Sequence, residues 1–337
     1  DLDPHFAKNE WWLRFNDPTL NALENELNAH NQNIANALAN YQQAHALVAA
    51  ARANYFPLIT GSLSLTRQKS GISSSSNSST NSTIAAGNSG RTAGSINTTK
   101  SLTLDGTWEP DIWGATRRSV EVNIDTAQAD NALLSSTRLS NQASLAQYYF
   151  ELLGVLRDQQ LLKKRAANYK KIVKLTTNQY QAGTVSKADV LSAQSQLDTA
   201  ESDIINNDIT RAQYEHAIAV LIGRPPANVG FNLSPQSVYV PPIPVMVPSA
   251  LLERRPDIVQ AERLMAAANA NIGVQVATYF PVLTISGNTF SSGTSLAKLF
   301  SIPAMGWAYG PSLAATLIDG GLRGANISAA KANYAGA

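Results

Sequence analysis

Side chains that could carry out catalysis are few and scattered in this sequence. The chain has 337 residues and no cysteine, and its four histidines are His5, His30, His45 and His216. Asp189 and Asp198 fall on one predicted helix, where a solvated surface explains them better than an acid/base pair. No nucleophile elbow or phosphate-binding glycine loop occurs. The sequence therefore predicts a protein that is not an enzyme, with no catalytic or metal site and no cofactor.

The composition narrows the class of protein further. Hydrophobic residues make up 44% of the chain, charged residues 15%, and the formal net charge is +2. This near-neutral balance predicts no nucleic-acid partner. No apolar run approaches the roughly 18 residues that a membrane-spanning helix needs, so a membrane span would have to use strands. Since the first residue is Asp1 and not Met, we expect any secretory signal or lipid anchor to lie upstream.

An internal repeat organises the chain. The segment 53–62, ANYFPLITGS, reappears as ATYFPVLTIS at 277–286, and DIWGATR at 111–117 resembles LIDGGLR at 317–323. Alanine-rich helices resemble one another by chance, but chance does not explain the shared Tyr-Phe-Pro junction. We predict a first structural repeat over 1–225, an equatorial linker over 226–249, and a truncated second repeat over 250–337.

The helices and strands of each repeat are predicted from the positions of helix-breaking residues and from the spacing of apolar residues. In the first repeat we predict a short helix over about 18–54, a strand pair at 56–67 and 101–109, a long helix over 111–182, and a short helix over 186–222. The long helix would extend for roughly 105 Å. Gly183 and Ser186 suit a helix C-cap and the next N-cap, which predicts a turn between the helices. In the second repeat we predict a helix, strands at 281–290 and 305–317, and the start of a long helix.

The predicted strands alternate apolar and polar residues, as Ile59 and Leu63 alternate with Thr60 and Ser62. A half-buried sheet of a soluble protein gives the same pattern. Aromatic residues at the strand ends, and a Ser/Asn-rich segment at 73–97 whose one charge is Arg91, favour a membrane sheet. The predicted membrane girdle is Tyr55, Phe56, Tyr279, Phe280 and Trp307, and the predicted pore lining is Thr60, Ser62, Thr103, Asp105, Thr107, Thr284 and Ser286. Four strands cannot close a barrel, whereas three copies supply twelve.

Four motifs carry a family resemblance. They are LLERRPDI at 251–258, the set Tyr180, Gly183, Ser186 and Asp189, LIGRPP at 221–226, and the set Trp108, Gly114 and Arg117. With them the chain resembles the outer-membrane factor family, the TolC-like and OprM-like ducts of tripartite efflux systems. It is most similar to the NodT-type lipoprotein branch that serves RND pumps. The resemblance covers essentially the whole chain.

The resemblance implies a mainly α fold with a β part: a TolC-like α-helical coiled-coil barrel, plus four strands per protomer that form a 12-stranded membrane barrel as a trimer. The implied function is passive export of drugs or small solutes, with a type I protein-secretion duct as the alternative. A soluble coiled-coil scaffold would leave the aromatic-edged strands unexplained. The implied partners are two further copies, a periplasmic adaptor, an inner-membrane RND pump and outer-membrane lipid. The implied location is a Gram-negative outer membrane, with a lipid anchor on an upstream cysteine.

The resemblance also implies roles for particular residues. It places Gly183, Thr184, Val185, Ser186 and Asp189 at a periplasmic tip that docks the adaptor. The residues themselves indicate structural roles for the other motifs, because Pro256 suits a first helical position and Asp257 complements the helix dipole. The predicted structural residues are Arg254, Arg255, Pro256, Asp257, Trp108, Gly114 and Arg117.

Overall fold

The computed structural model describes residues 10–69, 96–228, 231, 233, 239–241, 254–295, 299–301 and 305–337. Its helices are α1 (Pro18–His30), α2 (Gln32–Ala53), α3 (Ala115–Gln181), α4 (Lys187–Leu221), α5 (Pro256–Ala277) and α6 (Leu322–Gly336). Its strands are β1 (Leu58–Lys69), β2 (Ile96–Trp108), β3 (Val282–Gly293) and β4 (Met305–Ala314). Most of the Ser/Asn-rich segment, most of the predicted linker and residues 251–253 lie outside the described residues.

The prediction of one continuous helix over 18–54 is wrong, because the chain breaks at Asn31 between α1 and α2. Asn31 has extended backbone angles. Its side-chain oxygen accepts hydrogen bonds from the backbone N–H groups of Asn33, at 2.9 Å, and Ile34, at 3.0 Å. Its side-chain nitrogen donates to the carbonyl of Leu221 at 2.8 Å. The first contacts cap α2, and the last ties the break to the end of α4.

Helix α3 has 67 residues and begins at Ala115, four positions later than the pattern predicted. The start is set by Asp111, whose carboxylate accepts hydrogen bonds from the backbone N–H groups of Thr116 and Arg117 at 3.0 and 2.8 Å. Gly114, with φ +80°, provides the bend before the first turn. None of the helices in the described ranges contains a stretch apolar and long enough to cross a bilayer.

The described chain divides into two compact units, Asp1–His45 with Thr126–Leu264, and Ala46–Asp125 with Met265–Ala337. The first unit contains a hydrophobic core between α1, α3 and α4. Its fully buried members include Leu20, Leu27, Leu145, Leu152 and Ile218. Burial of such side chains contributes about 1.5–3 kcal/mol each, which holds α1 against the longer helices.

The second unit contains a four-stranded antiparallel sheet in the order β1-β2-β3-β4. Strands β2 and β3, which come from different copies of the repeat, pair in the centre of this sheet. The edges are β1 and β4. In the described residues neither edge strand pairs on its outer side, so each presents unpaired backbone groups there.

Candidate functional site

One face of the sheet is polar. Because side chains alternate along a strand, residues paired across the ladder share a face. The register places Thr60 opposite Asp105, Asp105 opposite Asn288, Ser62 opposite Thr103, Thr107 opposite Ser286 and Thr284 opposite Ser312. All seven residues predicted to line a pore are therefore on one face: Thr60, Ser62, Thr103, Asp105, Thr107, Thr284 and Ser286.

Asp105 is the one carboxylate in the described strands, and it lies on the polar face between Thr60 of β1 and Asn288 of β3. The hydroxyls of Ser64 and Ser101 form a cross-strand hydrogen bond at 2.6 Å, and those of Ser62 and Thr103 form another at 2.5 Å. Along the polar face Thr60, Ser62, Ser64 and Ser286 are exposed, whereas Thr103 and Asp105 are half-buried. Such a surface suits contact with water or a polar solute.

Phe290 interrupts the polar face, and sequence reasoning did not single it out. It pairs with Thr103 on one side and with Gly306 on the other. A Cβ added at Gly306 would lie 2.5 Å from the Phe290 ring, so the ring covers the glycine. An aromatic ring over a cross-strand glycine stabilises a sheet. The signal in the sequence is the single aromatic residue at a polar-face position of β3.

The opposite face of the sheet is apolar and exposed. Its exposed large side chains are Ile59, Leu63, Leu65, Ile96, Leu104, Trp108, Ile285, Met305, Trp307, Tyr309 and Leu313, whereas Leu102 and Leu283 on the same face are half-buried. Ile59 is 65% exposed, Leu63 67% and Tyr309 79%. A water-facing sheet places its polar residues outward, whereas this sheet exposes the apolar ones. The face therefore has the composition of a lipid-facing surface.

The five residues predicted as a girdle fall into two groups. Tyr55 and Phe56 lie between α2 and β1, and Tyr279 and Phe280 lie between α5 and β3. Trp307 lies within β4 on the apolar face, where its ring stacks on Tyr309 with centroids 5.6 Å apart. The first four residues thus lie at the helix-joined end of the sheet, whereas Trp307 lies near the other end.

The junction between sheet and helices is held by aromatic and arginine side chains. The indole of Trp108 donates to the carbonyl of Tyr55 at 3.0 Å. The guanidinium of Arg117 lies over Gly114, where an added Cβ would be 2.9 Å from it. At the matching position of the second repeat, the Arg323 guanidinium lies over the Tyr279 ring at 4.8 Å and pairs with Asp319. These contacts serve the geometry of the junction.

The Asp319 carboxylate accepts hydrogen bonds from the side chain of Arg323, at 2.5 Å, and from the backbone N–H groups of Gly321 and Arg323. The hydrogen bond from Arg323, followed by those from the backbone, lowers the pKa of Asp319 to about 2. The group therefore carries its charge at all physiological pH values.

The turn between α3 and α4 has both of the predicted caps. Gly183 has φ +77°, the Thr184 N–H donates to the Gln179 carbonyl at 3.0 Å, and the Gly183 N–H donates to the Tyr180 carbonyl at 2.9 Å. Ser186 and Asp189 form a reciprocal capping box, in which the Ser186 hydroxyl accepts the Asp189 N–H and the Asp189 carboxylate accepts the Ser186 N–H at 2.9 Å.

The side chains around this turn are exposed, apart from the half-buried Val185. The hydrogen bonds that Asp189 accepts from Ser186 lower the pKa of the carboxyl. The turn is thus exposed, capped on both sides, and negatively charged at Asp189. Further from the turn along the same two helices, Arg165 pairs with Asp203 and the Gln159 amide donates a hydrogen bond to Asp208. These two contacts tie α3 to α4.

The motif at 251–258 includes the start of α5. Pro256 is the first residue of α5, and Arg255 makes a bidentate pair with Asp257, at 3.1 and 2.6 Å. The hydrogen bond from Arg255 lowers the pKa of Asp257. Arg254 instead lines a cleft of about 560 Å³ with Arg138 and Arg263.

In the motif at 221–226, the Arg224 guanidinium pairs with Glu26 of α1. Gly223, with φ +73°, lies against His30, whose carbonyl oxygen would be 2.7 Å from an added Cβ. Only a glycine fits there without a backbone shift. The motif thus fastens the end of α4 to the end of α1.

No cluster of three or more His, Cys, Asp or Glu side chains that could hold a metal ion occurs in the part of the chain that the structure describes.

Comparison of the chain with known proteins finds one family that matches most of its length. A family model described as outer membrane efflux protein matches residues 23–224 and 247–337. The chain is 27% identical over 327 residues to a probable efflux pump outer membrane protein, TtgC of Pseudomonas putida, covering 96% of this chain and 65% of that protein. It is 30% identical over 341 residues to nodulation protein T of Rhizobium leguminosarum bv. viciae, covering 98% of this chain and 65% of that protein. The chain thus spans slightly under two thirds of the length of these curated relatives.

The solved structure of the outer-membrane channel OprN superposes with a TM-score of 0.81 at 28% sequence identity, covering 97% of this chain and 70% of that chain. The chain therefore has the fold of that channel. This confirms the fold class predicted from the sequence, which is mainly helical with a small four-stranded sheet.

Proposed function

Because the chain belongs to the outer membrane efflux protein family, we propose that its full-length protein is a trimeric exit duct. The duct would carry drugs or other small solutes passively out of the cell. The observation that carries the proposal is the inverted sheet, which exposes an apolar face with Ile59, Leu63 and Tyr309. Its other face, with Thr60 and Asp105, is polar. This arrangement suits a wall between lipid and a water-filled lumen.

The open edges of the sheet support a trimer. In a bilayer every backbone N–H and C=O group must be paired within protein, so the outer sides of β1 and β4 need partners. Pairing β4 of one copy with β1 of the next satisfies both edges. Three copies then give twelve strands, a number within the range of membrane barrels.

Engineered cysteines test this closure, since the natural chain has none. Strands β1 and β4 are separated by two strands, or about 14 Å, so a disulfide between them within one copy is excluded. With Ser62→Cys fixed on β1, cysteines are placed on β4 at polar-face positions 308, 310 and 312, and at apolar-face positions 309 and 313 as controls. We expect disulfide-linked trimers for one or two polar-face positions and none for the controls. Monomers at every position would refute the closure.

The tip turn supports a docking role for Gly183, Thr184, Val185, Ser186 and Asp189. The proposed partner is a periplasmic adaptor, with an inner-membrane RND pump as the energy source. The capping box fixes this exposed turn before any partner arrives, which lowers the ordering cost of binding. Replacing Ser186 and Asp189 by Ala removes the box, and we expect weaker adaptor capture by the purified trimer. Ser195→Ala, on the same helix, is the control.

The proposed location is the outer membrane of a Gram-negative bacterium, with a lipid anchor on a cysteine upstream of Asp1. The family and the apolar sheet face support the membrane, and the resemblance to the lipoprotein branch supports the anchor. Fractionation of cells that express the full-length protein should place it in the outer membrane. Metabolic labelling with radioactive palmitate tests for the anchor. Protein that takes up no label would show that the lipid anchor is absent.

A further inference from the structure

Three cations interrupt the apolar face of the sheet at one end. By strand alternation, Arg67 and Lys69 share a face with Leu63 and Leu65, and Lys100 is directly opposite Leu65. Arg67 is opposite Thr98, so Arg67 and Lys100 are diagonal neighbours at about 7 Å. Arg67 and Lys69 are exposed, and Lys100 is half-buried. We call Arg67, Lys69 and Lys100 the basic triad.

The triad lies at the end of the sheet away from the helices. Arg67 and Lys69 are among the last residues of β1, and Lys100 is near the start of β2. The helix-joined end of the same face carries Ile59 on β1 and Trp108 on β2. Each strand therefore runs from an apolar residue to a cation over eight positions, or about 26 Å.

This distance covers most of the depth of a lipid-facing band. An apolar band of a membrane barrel is about 25 Å tall, and strands tilt by about 35–45°, so 26 Å of strand spans roughly 20 Å of it. The triad thus falls near the outer limit of the apolar band, within about 5 Å of the lipid headgroups. Long basic side chains reach from such positions into the headgroup layer.

The described part of the sheet has no acidic side chain on the face of the triad. The sequence has no Asp or Glu between Glu26 and Asp105, and Asp105 lies on the opposite face. Within the described residues none of the three cations makes an ion pair. Solvated ends of strands accept either sign of charge, and cations on an edge strand also discourage aggregation. An exclusively basic end on the lipid-facing side, extending from the edge strand onto the central strand β2, requires a further reason.

We propose that the basic triad binds the phosphate groups of anionic lipid headgroups in the outer leaflet, and so sets the depth of the sheet in the membrane. Arg and Lys bind phosphate oxygens through charge-assisted hydrogen bonds, and an anionic membrane surface attracts basic side chains that lie near it. This inference rests on the proposed membrane function of the sheet.

The test uses the full-length trimer in detergent micelles, titrated with bisphosphorylated lipid A or with the same lipid after removal of both phosphates. Native mass spectrometry measures the lipid bound. We expect the wild type to prefer the phosphorylated form, and the variant Arg67→Gln/Lys69→Gln/Lys100→Gln to bind it about 10- to 100-fold more weakly. Lys163→Gln/Lys164→Gln/Lys170→Gln removes the same charge from exposed positions of α3 and should bind like the wild type.

Equal binding of both lipids by the wild type, or unchanged binding by the triad variant, would overturn the inference. Displacement of the lipid by inorganic phosphate at matched ionic strength would also overturn it, because the site would then recognise free phosphate. Insertion of the wild type and both variants into phosphatidylcholine vesicles is measured in parallel. Failure of the wild type to insert would contradict the proposed function. Normal insertion without a preference for the phosphorylated lipid would contradict only the proposed role of the triad.

Discussion

The indole of Trp113 stacks on the ring of Phe280, with centroids 4.8 Å apart and planes inclined by 16°. Its N–H also donates to the carbonyl of Pro281 at 2.7 Å. Trp113 follows β2 and Phe280 precedes β3, so this contact joins the two copies of the sequence repeat. The same two strands form the central pairing of the sheet. The relationship therefore anchors the sheet at the helix-joined end.

Removal of this contact should destabilise the sheet. Trp113→Phe keeps a stacked ring but loses the hydrogen bond, at a cost of about 1 kcal/mol, and Trp113→Ala loses both, at about 2 kcal/mol. Thermal unfolding of the full-length protein in detergent measures the cost. We expect the thermal midpoint to fall from the wild type to Trp113→Phe and again to Trp113→Ala. Trp307→Phe, on the exposed apolar face, is the control and should change little. Identical midpoints for the wild type and Trp113→Ala would contradict the anchoring role.

Asp105 should make the duct prefer cations. As the one carboxylate in the described strands, on the polar face, it becomes a ring of three in the proposed trimer. A ring of carboxylates attracts cations and repels anions. We expect Asp105→Asn to lower the cation-to-anion permeability ratio, measured from reversal potentials across planar bilayers under a salt gradient. Lys100→Gln, on the same strand but the opposite face, should leave the ratio unchanged, and an equal change in both variants would contradict the face assignment.

The features that the sequence predicted correctly are those with local causes. Alternation along a strand is a property of neighbouring residues, so the shared face of Thr60 and Ser62 followed from sequence alone. The turn at Gly183 and Ser186 also depends on residues within one or two helical turns. Local chemistry is enough to specify such features.

The features that escaped prediction depend on distant contacts. The break at Asn31 is held by a hydrogen bond to the carbonyl of Leu221, and no pattern near Asn31 indicates this partner. The cover of Phe290 over Gly306 likewise depends on the register of β3 against β4. The sequence showed that residues 221–226 form a motif, but the contact of Gly223 with His30 became visible only in the fold.

Two glycines with similar backbone angles should differ in tolerance to substitution. Gly183 has φ +77° and open space around an added Cβ, whereas Gly223 has φ +73° and the His30 carbonyl oxygen at 2.7 Å. Gly183→Ala should therefore cost about 1 kcal/mol for the left-handed backbone alone. Gly223→Ala adds about 1–3 kcal/mol for overpacking.

Thermal unfolding of the two glycine variants under one buffer condition separates these costs. The backbone term cancels in the comparison, so any excess for Gly223→Ala reports the crowding against His30. Hydrogen exchange should show the loss at the ends of α1 and α4 for Gly223→Ala, and only near the turn for Gly183→Ala. Equal midpoints would mean that the chain relaxes away from His30 without cost.

Glu24 makes the stability of the first unit depend on pH. Its side chain is fully buried in the core beside Leu20 and Leu27, and neither carboxylate oxygen has a hydrogen-bond partner in the described structure. Burial raises the pKa of Glu24 to about 8 from its ordinary value of 4.5. Between these two values the folded protein keeps the proton that the unfolded chain releases, so stability falls as pH rises from about 4.5 to 8.

Glu24→Gln should remove this dependence, because glutamine has similar size and does not titrate. We expect the thermal midpoint of the variant to match the wild type near pH 4 and to exceed it by about 2–5 °C at pH 8. Glu26→Gln is the control on the same helix, since it removes an equal charge from a side chain paired with Arg224. The thermal midpoint of that variant should fall with pH between pH 4.5 and 8 as steeply as that of the wild type. A wild-type midpoint that stays flat over this range would show that Glu24 has a charged partner in the assembled protein.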